Sequence, residues 1–150
     1  MNRAVVFLLL LLAETTATQP SRILIAYEST AFKKELVDEM LALFKKDSAD
    51  VTVIEHSKGA LDSIDPSQFN AVFITNSGVN SKVRPWVLAW LEKHKKLRSR
   101  VLLHTTQTRA WEVTAPVDAV TSASEKKRIT QLAKEYSRNL KQRIGRDAAR

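Results

Sequence analysis

Ser29 and Thr30 stand at the end of an apolar run, and Lys33 and Lys34 follow within four residues at the start of an amphipathic one. Cations in the first turn of a helix oppose its macrodipole at a cost of about 0.3–1 kcal/mol each. Two lysines beside two hydroxyls make chemical sense if an anion such as phosphate or carboxylate docks on that helix N-terminus. The alternative is a pair of surface lysines whose stems lie along apolar surface. Two further polar stretches follow apolar runs, Thr75-Asn76-Ser77-Gly78 and Thr105-Thr106-Gln107-Thr108-Arg109, the second leading to Trp111. That indole suits stacking on a planar ligand or a lid over the strand ends.

Other chemistries find less support. With no cysteine there is no disulfide, thiolate metal site or cysteine nucleophile. His56, His94 and His104 lack ligand spacing and an evident acid partner, so no metal centre is expected. Ser77-Gly78 lacks the G-x-S-x-G elbow, and no Ser-His-Asp triad assembles. Glu28 and Asp118 fall near strand termini, but nothing in their spacing pairs them for acid–base work.

The elements that must position these residues alternate. Arg22 to Ser29 reads as a strand, apolar on both faces from Ile23 to Ala26, and Ala31 to Lys46 as a helix with Phe32, Leu36, Val37, Met40, Leu43 and Phe44 on one stripe. Val51–Ile54 and Ala71–Ile74 are the next strands. Pro85 opens a helix whose stripe is Trp86, Val87, Trp90, Leu91 and Leu97, which makes both tryptophans core residues. Val101–Leu103 is a fourth strand and Val117–Val120 a short fifth. Ser122-x-x-Glu125 reads as a capping box before a final helix that buries Ile129, Leu132, Ala133, Tyr136, Leu140 and Ile144. Strands alternating with helices imply right-handed crossovers and a parallel sheet covered on both faces, a three-layer α/β/α sandwich. Between strands four and five there is only TRAWEVTAP, so one helix is reduced or missing.

The ends of the chain differ from its middle. Met1-Asn2-Arg3 precedes an apolar run from Ala4 to Ala13, too short for a bilayer core of ~30 Å but right for a signal peptide. Residues 1–17 are expected to be removed after Ala17, with Ala13 the alternative. That leaves an exported, periplasmic or secreted domain over 18–146 and a short tail over 147–150. The net charge is +8, and from Glu125 to Arg150 nine basic residues face three acidic ones. Such a helix is read first as a solvated face and second as a membrane-surface dock. Export argues against nucleic acid as the partner.

Residues 22–144 resemble a compact flavodoxin-like domain, which implies strand order 2-1-3-4-5 and a ligand at the carboxyl ends of the strands. In that family the first strand leads into a hydroxyl-rich, Gly-containing loop around the phosphate of FMN. Here the segment is Tyr27-Glu28-Ser29-Thr30-Ala31-Phe32-Lys33-Lys34. Ser29 and Thr30 match the loop's start, Phe32 falls where the family's Gly belongs, and Lys34 where a further Thr is expected. The resemblance implies that Ser29, Thr30 and Lys34 hold phosphate. It places Asn76, Ser77 and Gly78 along the flavin ring, with Thr106, Gln107 and Trp111 closing it. Asp118 to Ser124 also resembles the D-x-x-[ST]-G-A-[ST] signature of covalent FMN-binding domains, with Ser122 in place of its Gly. Two functions follow: a degenerate ligand-binding or interaction module, favoured by the lost glycines, and an FMN-dependent electron carrier with a redox protein partner.

Overall fold

Strands that bury both faces need no polar alternation, and β1 (Arg22–Tyr27), β3 (Ala71–Ser77) and β4 (Val101–Gln107) carry nearly unbroken buried runs. In the computed structural model, which describes residues 20–57, 59–80, 82–107 and 113–148, these strands form the centre of one sheet. β2 (Asp50–Glu55) and β5 (Asp118–Ala123) close its edges, and the order is β2-β1-β3-β4-β5, parallel throughout. The expected leader, residues 1–17, and Trp111 lie outside the described residues.

Helices α1 (Ala31–Lys46) and α3 (Ile129–Ala148) cover one face. Their stripes, among them Leu36, Met40, Phe44, Leu132, Tyr136 and Leu140, pack on Ile23, Ile25, Phe73 and Leu102. Helix α2 (Pro85–Lys93) covers the other, where Val87, Trp90 and Leu91 meet Leu24, Val72, Ile74 and Leu103. Trp90 is fully in the core, whereas Trp86 is only half-buried at its edge. α2 is shorter than its apolar stripe suggests: the chain tightens into a 3-10 turn over Lys95–Arg100, which carries Leu97. Parallel strands need a crossover, usually a helix. Between β4 and β5 the described residues 113–117 form none, and Val113, Ala115 and Val117 fill the space beside α2.

The expected capping box at Ser122 is wrong. Ser122 lies in β5, which runs on to Ala123 instead of stopping at Val120, and it pairs with Thr106. Its buried hydroxyl lies 2.7 Å from His104 Nε2, while His104 Nδ1 lies 2.9 Å from Thr75 Oγ1 and Ser122 also bonds Tyr136. Ladder pairing plus a buried ring needing a partner outweigh a cap that can form only in a loop. The helical chain begins with a turn at Lys126–Arg128, and Glu125 makes no side-chain cap. Helix α3 also continues into the residues read as a tail, through Ala148.

Part of the basic stretch is structural. Arg143, 7 % exposed, donates to Asn139 Oδ1 at 2.9 Å, to the Ser99 carbonyl at 2.8 Å and to Asp118 at 2.5 Å, tying α3 to the amino-terminal end of β5.

Candidate functional site

At the carboxyl ends of the strands the chain turns from β1 into α1 through Glu28, Ser29 and Thr30. Thr30 is extended, with φ −139° and ψ 152°, and its hydroxyl accepts the Lys33 N–H at 3.2 Å. That is an ordinary N-cap, which uses the hydroxyl oxygen as an acceptor. Ser29 and Lys34 are exposed, and Phe32 is buried in the core under α1.

Lys33 behaves unlike its neighbour. It is 1 % exposed, on the buried stripe it shares with Leu36, Val37 and Met40, and its Nζ donates to Ser77 Oγ at 2.8 Å. Burial pushes its pKa down to about 8, nearby Glu28 opposing the shift and Arg84 adding to it. Glu28 reaches across to β3, where one carboxylate oxygen accepts the Ser77 N–H at 2.5 Å and the other the Arg84 guanidinium at 2.6 Å. Burial alone would raise the Glu28 pKa, but these two donors outweigh it and hold it below the usual carboxylate range. His56, just after β2, lies 2.9 Å from the Thr75 carbonyl through Nε2. That contact requires the proton on Nε2, so Nδ1 accepts from the Trp86 indole at 3.5 Å. Burial lowers the His56 pKa.

Asn76 faces inward. It is fully buried, its amide nitrogen donates to the His104 carbonyl and to Thr105 Oγ1, each at 3.1 Å, and its oxygen accepts the Arg84 N–H at 3.1 Å. It holds β3, β4 and the start of α2 together, and is not free to line a ring. Ser77, Gly78, Thr106 and Gln107 do converge. With Ala123, Ser124 and Glu125 they line an open groove of ≈ 460 Å³ across the ends of β3, β4 and β5. Gly78 suits this close approach, since a Cβ there would stand 2.9 Å from Gln107 Cγ.

Four of the nine expected site residues therefore share one groove. Ser29, Thr30 and Lys34 sit apart at the head of α1, Asn76 is internal, and Trp111 is outside the described residues. The sequence reading set Lys33 beside Lys34 as an anion contact and left Glu28 without a partner; it missed Arg84 and both pairings, Glu28–Arg84 and Lys33–Ser77. Lys33 had a visible signal: it sits three and four residues before Leu36 and Val37, on the apolar stripe itself. Arg84 had none, because its partner Glu28 is 56 residues away.

No protein-family model and no curated protein matches the sequence. Solved structures do match in fold. An archaeal flavodoxin aligns at 12 % identity and TM-score 0.57, over 83 % of this chain and 99 % of its own. The flavodiiron protein of Giardia intestinalis aligns at 12 % and 0.55, and the lysine decarboxylase LdcF of Francisella novicida at 9 % and 0.57. The chain spans 36 % and 18 % of those two longer proteins. The fold is flavodoxin-like, with the five-stranded parallel order 2-1-3-4-5.

Proposed function

We propose that this chain is an exported flavodoxin-fold module that binds a small anionic ligand in the groove over β3, β4 and β5 and holds no FMN. The observation that carries this reading is that the chain supplies its own anion at the phosphate end. The Glu28 carboxylate takes the Ser77 N–H and the Arg84 guanidinium, two donors that a phosphate would otherwise use. A phosphate brought to the same place would meet a like charge and find those two donors already taken. Phe32, packed in the core, also occupies the position where the resemblance asks for Gly. These residues do not fit the FMN phosphate, so no redox step or redox partner is assigned to the chain.

The groove favours a different ligand. Lys33, Arg84 and Lys127 set three cations against the carboxylates of Glu28 and the groove-lining Glu125, and Ser77, Thr106 and Ser124 bring hydroxyls to its walls. A small carboxylate or phosphate ester suits that field. Export rests on the leader-like run from Ala4 to Ala13. Cell fractionation with N-terminal sequencing checks it, with Thr18 the expected first residue and retention of Met1 in the cytoplasm the contrary result.

Two titrations test the binding reading. Flavin fluorescence stays unquenched as FMN is added to high-micromolar concentration, whereas a panel of small carboxylates and phosphates shifts the amide resonances of Ser77, Gly78, Thr106, Gln107 and Ser124. Stoichiometric quenching of FMN would overturn the reading, as would shifts confined to the surface of α3.

A further inference from the structure

Ligand binding leaves one contact at the groove unused. Lys33 Nζ and Ser77 Oγ are 2.8 Å apart, and among the described residues that hydroxyl is the only hydrogen-bond partner of the Lys33 side chain. Glu28 gives its two oxygens to the Ser77 N–H and to Arg84. A buried ammonium with three donors and one acceptor is poorly satisfied, which brings its neutral amine form within reach near pH 8. That amine carries a lone pair able to take the Ser77 hydroxyl proton. On its other side Ser77 borders the open groove with Gly78, Thr106 and Gln107. The hydroxyl thus stands between a base shielded from water and a space that a ligand can enter. This is the two-residue form of the nucleophile-plus-base arrangement, and it needs neither a histidine nor a strand-to-helix elbow.

We infer that Ser77 is a nucleophile activated by Lys33 and that it accepts the acyl group of a small carboxylic ester bound in the groove. Ser77 Oγ attacks the carbonyl carbon and its proton passes to Lys33 Nζ. The C–O bond to the alcohol breaks, and the alcohol leaves with that proton. Water then attacks the acyl-serine, again giving its proton to Lys33, which returns it to Ser77 Oγ as the carboxylic acid is released. Atoms balance as ester hydrolysis, with no oxidant, metal or co-reactant.

The charges around the base set its pH response. Glu28 from the β1–α1 loop raises the Lys33 pKa and Arg84 from the start of α2 lowers it, with burial the larger effect. His56 from the end of β2 and His104 from β4 also face this charge; burial depresses both rings and keeps them neutral in the range where Lys33 titrates.

The test treats the folded protein with a fluorophosphonate and maps the adduct by peptide mass spectrometry. Ser77 Oγ bonds to phosphorus, fluoride leaves, and the proton goes to Lys33. We expect the adduct on Ser77, at a rate that climbs with pH and levels above about 8. Ser77→Ala abolishes it, and Lys33→Met slows it by about 100-fold or more, the usual contribution of a general base. An adduct on another residue, no adduct, or an unchanged rate in Lys33→Met overturns the inference. Should Lys33→Met fail to fold, the wild-type profile still decides, because a rate independent of pH also overturns it. The inference shares the groove with the ligand reading but not its ligand. Labelling at Ser77 without carboxylate or phosphate binding would sink only that reading.

Discussion

Replacing Lys33 with methionine keeps an unbranched stem in the buried slot and deletes the charge. In the folded chain the Lys33 pKa is pushed to about 8, against an ordinary value of 10.5. The folded state therefore binds this proton less tightly than the unfolded one, and below pH 8 the charged lysine costs the fold about 3 kcal/mol. The penalty is relieved as pH rises from the folded value to the unfolded one, because in that window the unfolded chain carries a proton that the folded chain has released. Losing the Ser77 hydrogen bond offsets about 1 kcal/mol. Lys33→Met should then be more stable than wild type by about 2 kcal/mol at neutral pH, which corresponds to about 7 °C in Tm for a domain of this size. Urea denaturation followed by fluorescence of the buried Trp90, on both proteins at several pH values between neutrality and the unfolded lysine value, reads the difference directly. It should shrink steadily above pH 8 and vanish or reverse near 10.5, while contributions from all other groups cancel. A variant less stable than wild type at neutral pH, or a gap that stays constant across the window, would refute the account of Lys33 as a desolvated charge.

Other expectations follow from the same network. Burial pushes the His104 pKa to about 3, so the stability tied to its neutral ring is complete above 6.5 and is lost as pH falls toward 3. Through this residue alone the fold should lose about 3 kcal/mol by about pH 4, and NMR should find no titration of the His104 ring at higher pH. Arg143→Met removes two hydrogen bonds from α3 to β5 and to the chain before β4 and a third within α3, and should cost about 2–3 kcal/mol in urea denaturation, with Arg143→Lys recovering only part. Gly78→Ala forces the Gln107 side chain into the groove; it should slow Ser77 labelling while changing stability by about 1 kcal/mol or less. Phe32→Gly empties a core position at a cost of about 4 kcal/mol and should still bind no FMN, since Glu28 stays in place.

The architecture was legible because period and polarity are local. Ile23–Ala26, Val72–Ile74 and Leu102–Leu103 are apolar on both faces, which only a doubly covered sheet explains, and the 3.6-residue stripes of α1 and α3 call for faces to bury. The absent helical period after β4 was legible for the same reason. Ser122 misled because a capping box is a four-residue pattern that a strand end reproduces by chance. Its true partner, His104, lies 18 positions back and meets it only through β4–β5 pairing.

Within the site, the sequence by itself determined which hydroxyl, amide and basic side chains gather at the strand ends, since strand–loop–helix order places every such loop on one edge of a parallel sheet. It did not determine which of them face a ligand. Glu28 and Arg84 are 56 residues apart, and Lys33 and Ser77 are 44 apart. Their meeting depends on the alignment of β1 with β3 and on the pitch at which α1 lies over them. Only the tertiary structure turned Asn76 inward and brought Lys33 Nζ onto Ser77, although the apolar stripe of α1 already marked Lys33 for burial. A single helical step of about 100° between neighbouring residues separates solvent from a low-dielectric slot, and there the chemistry of the two lysines parts.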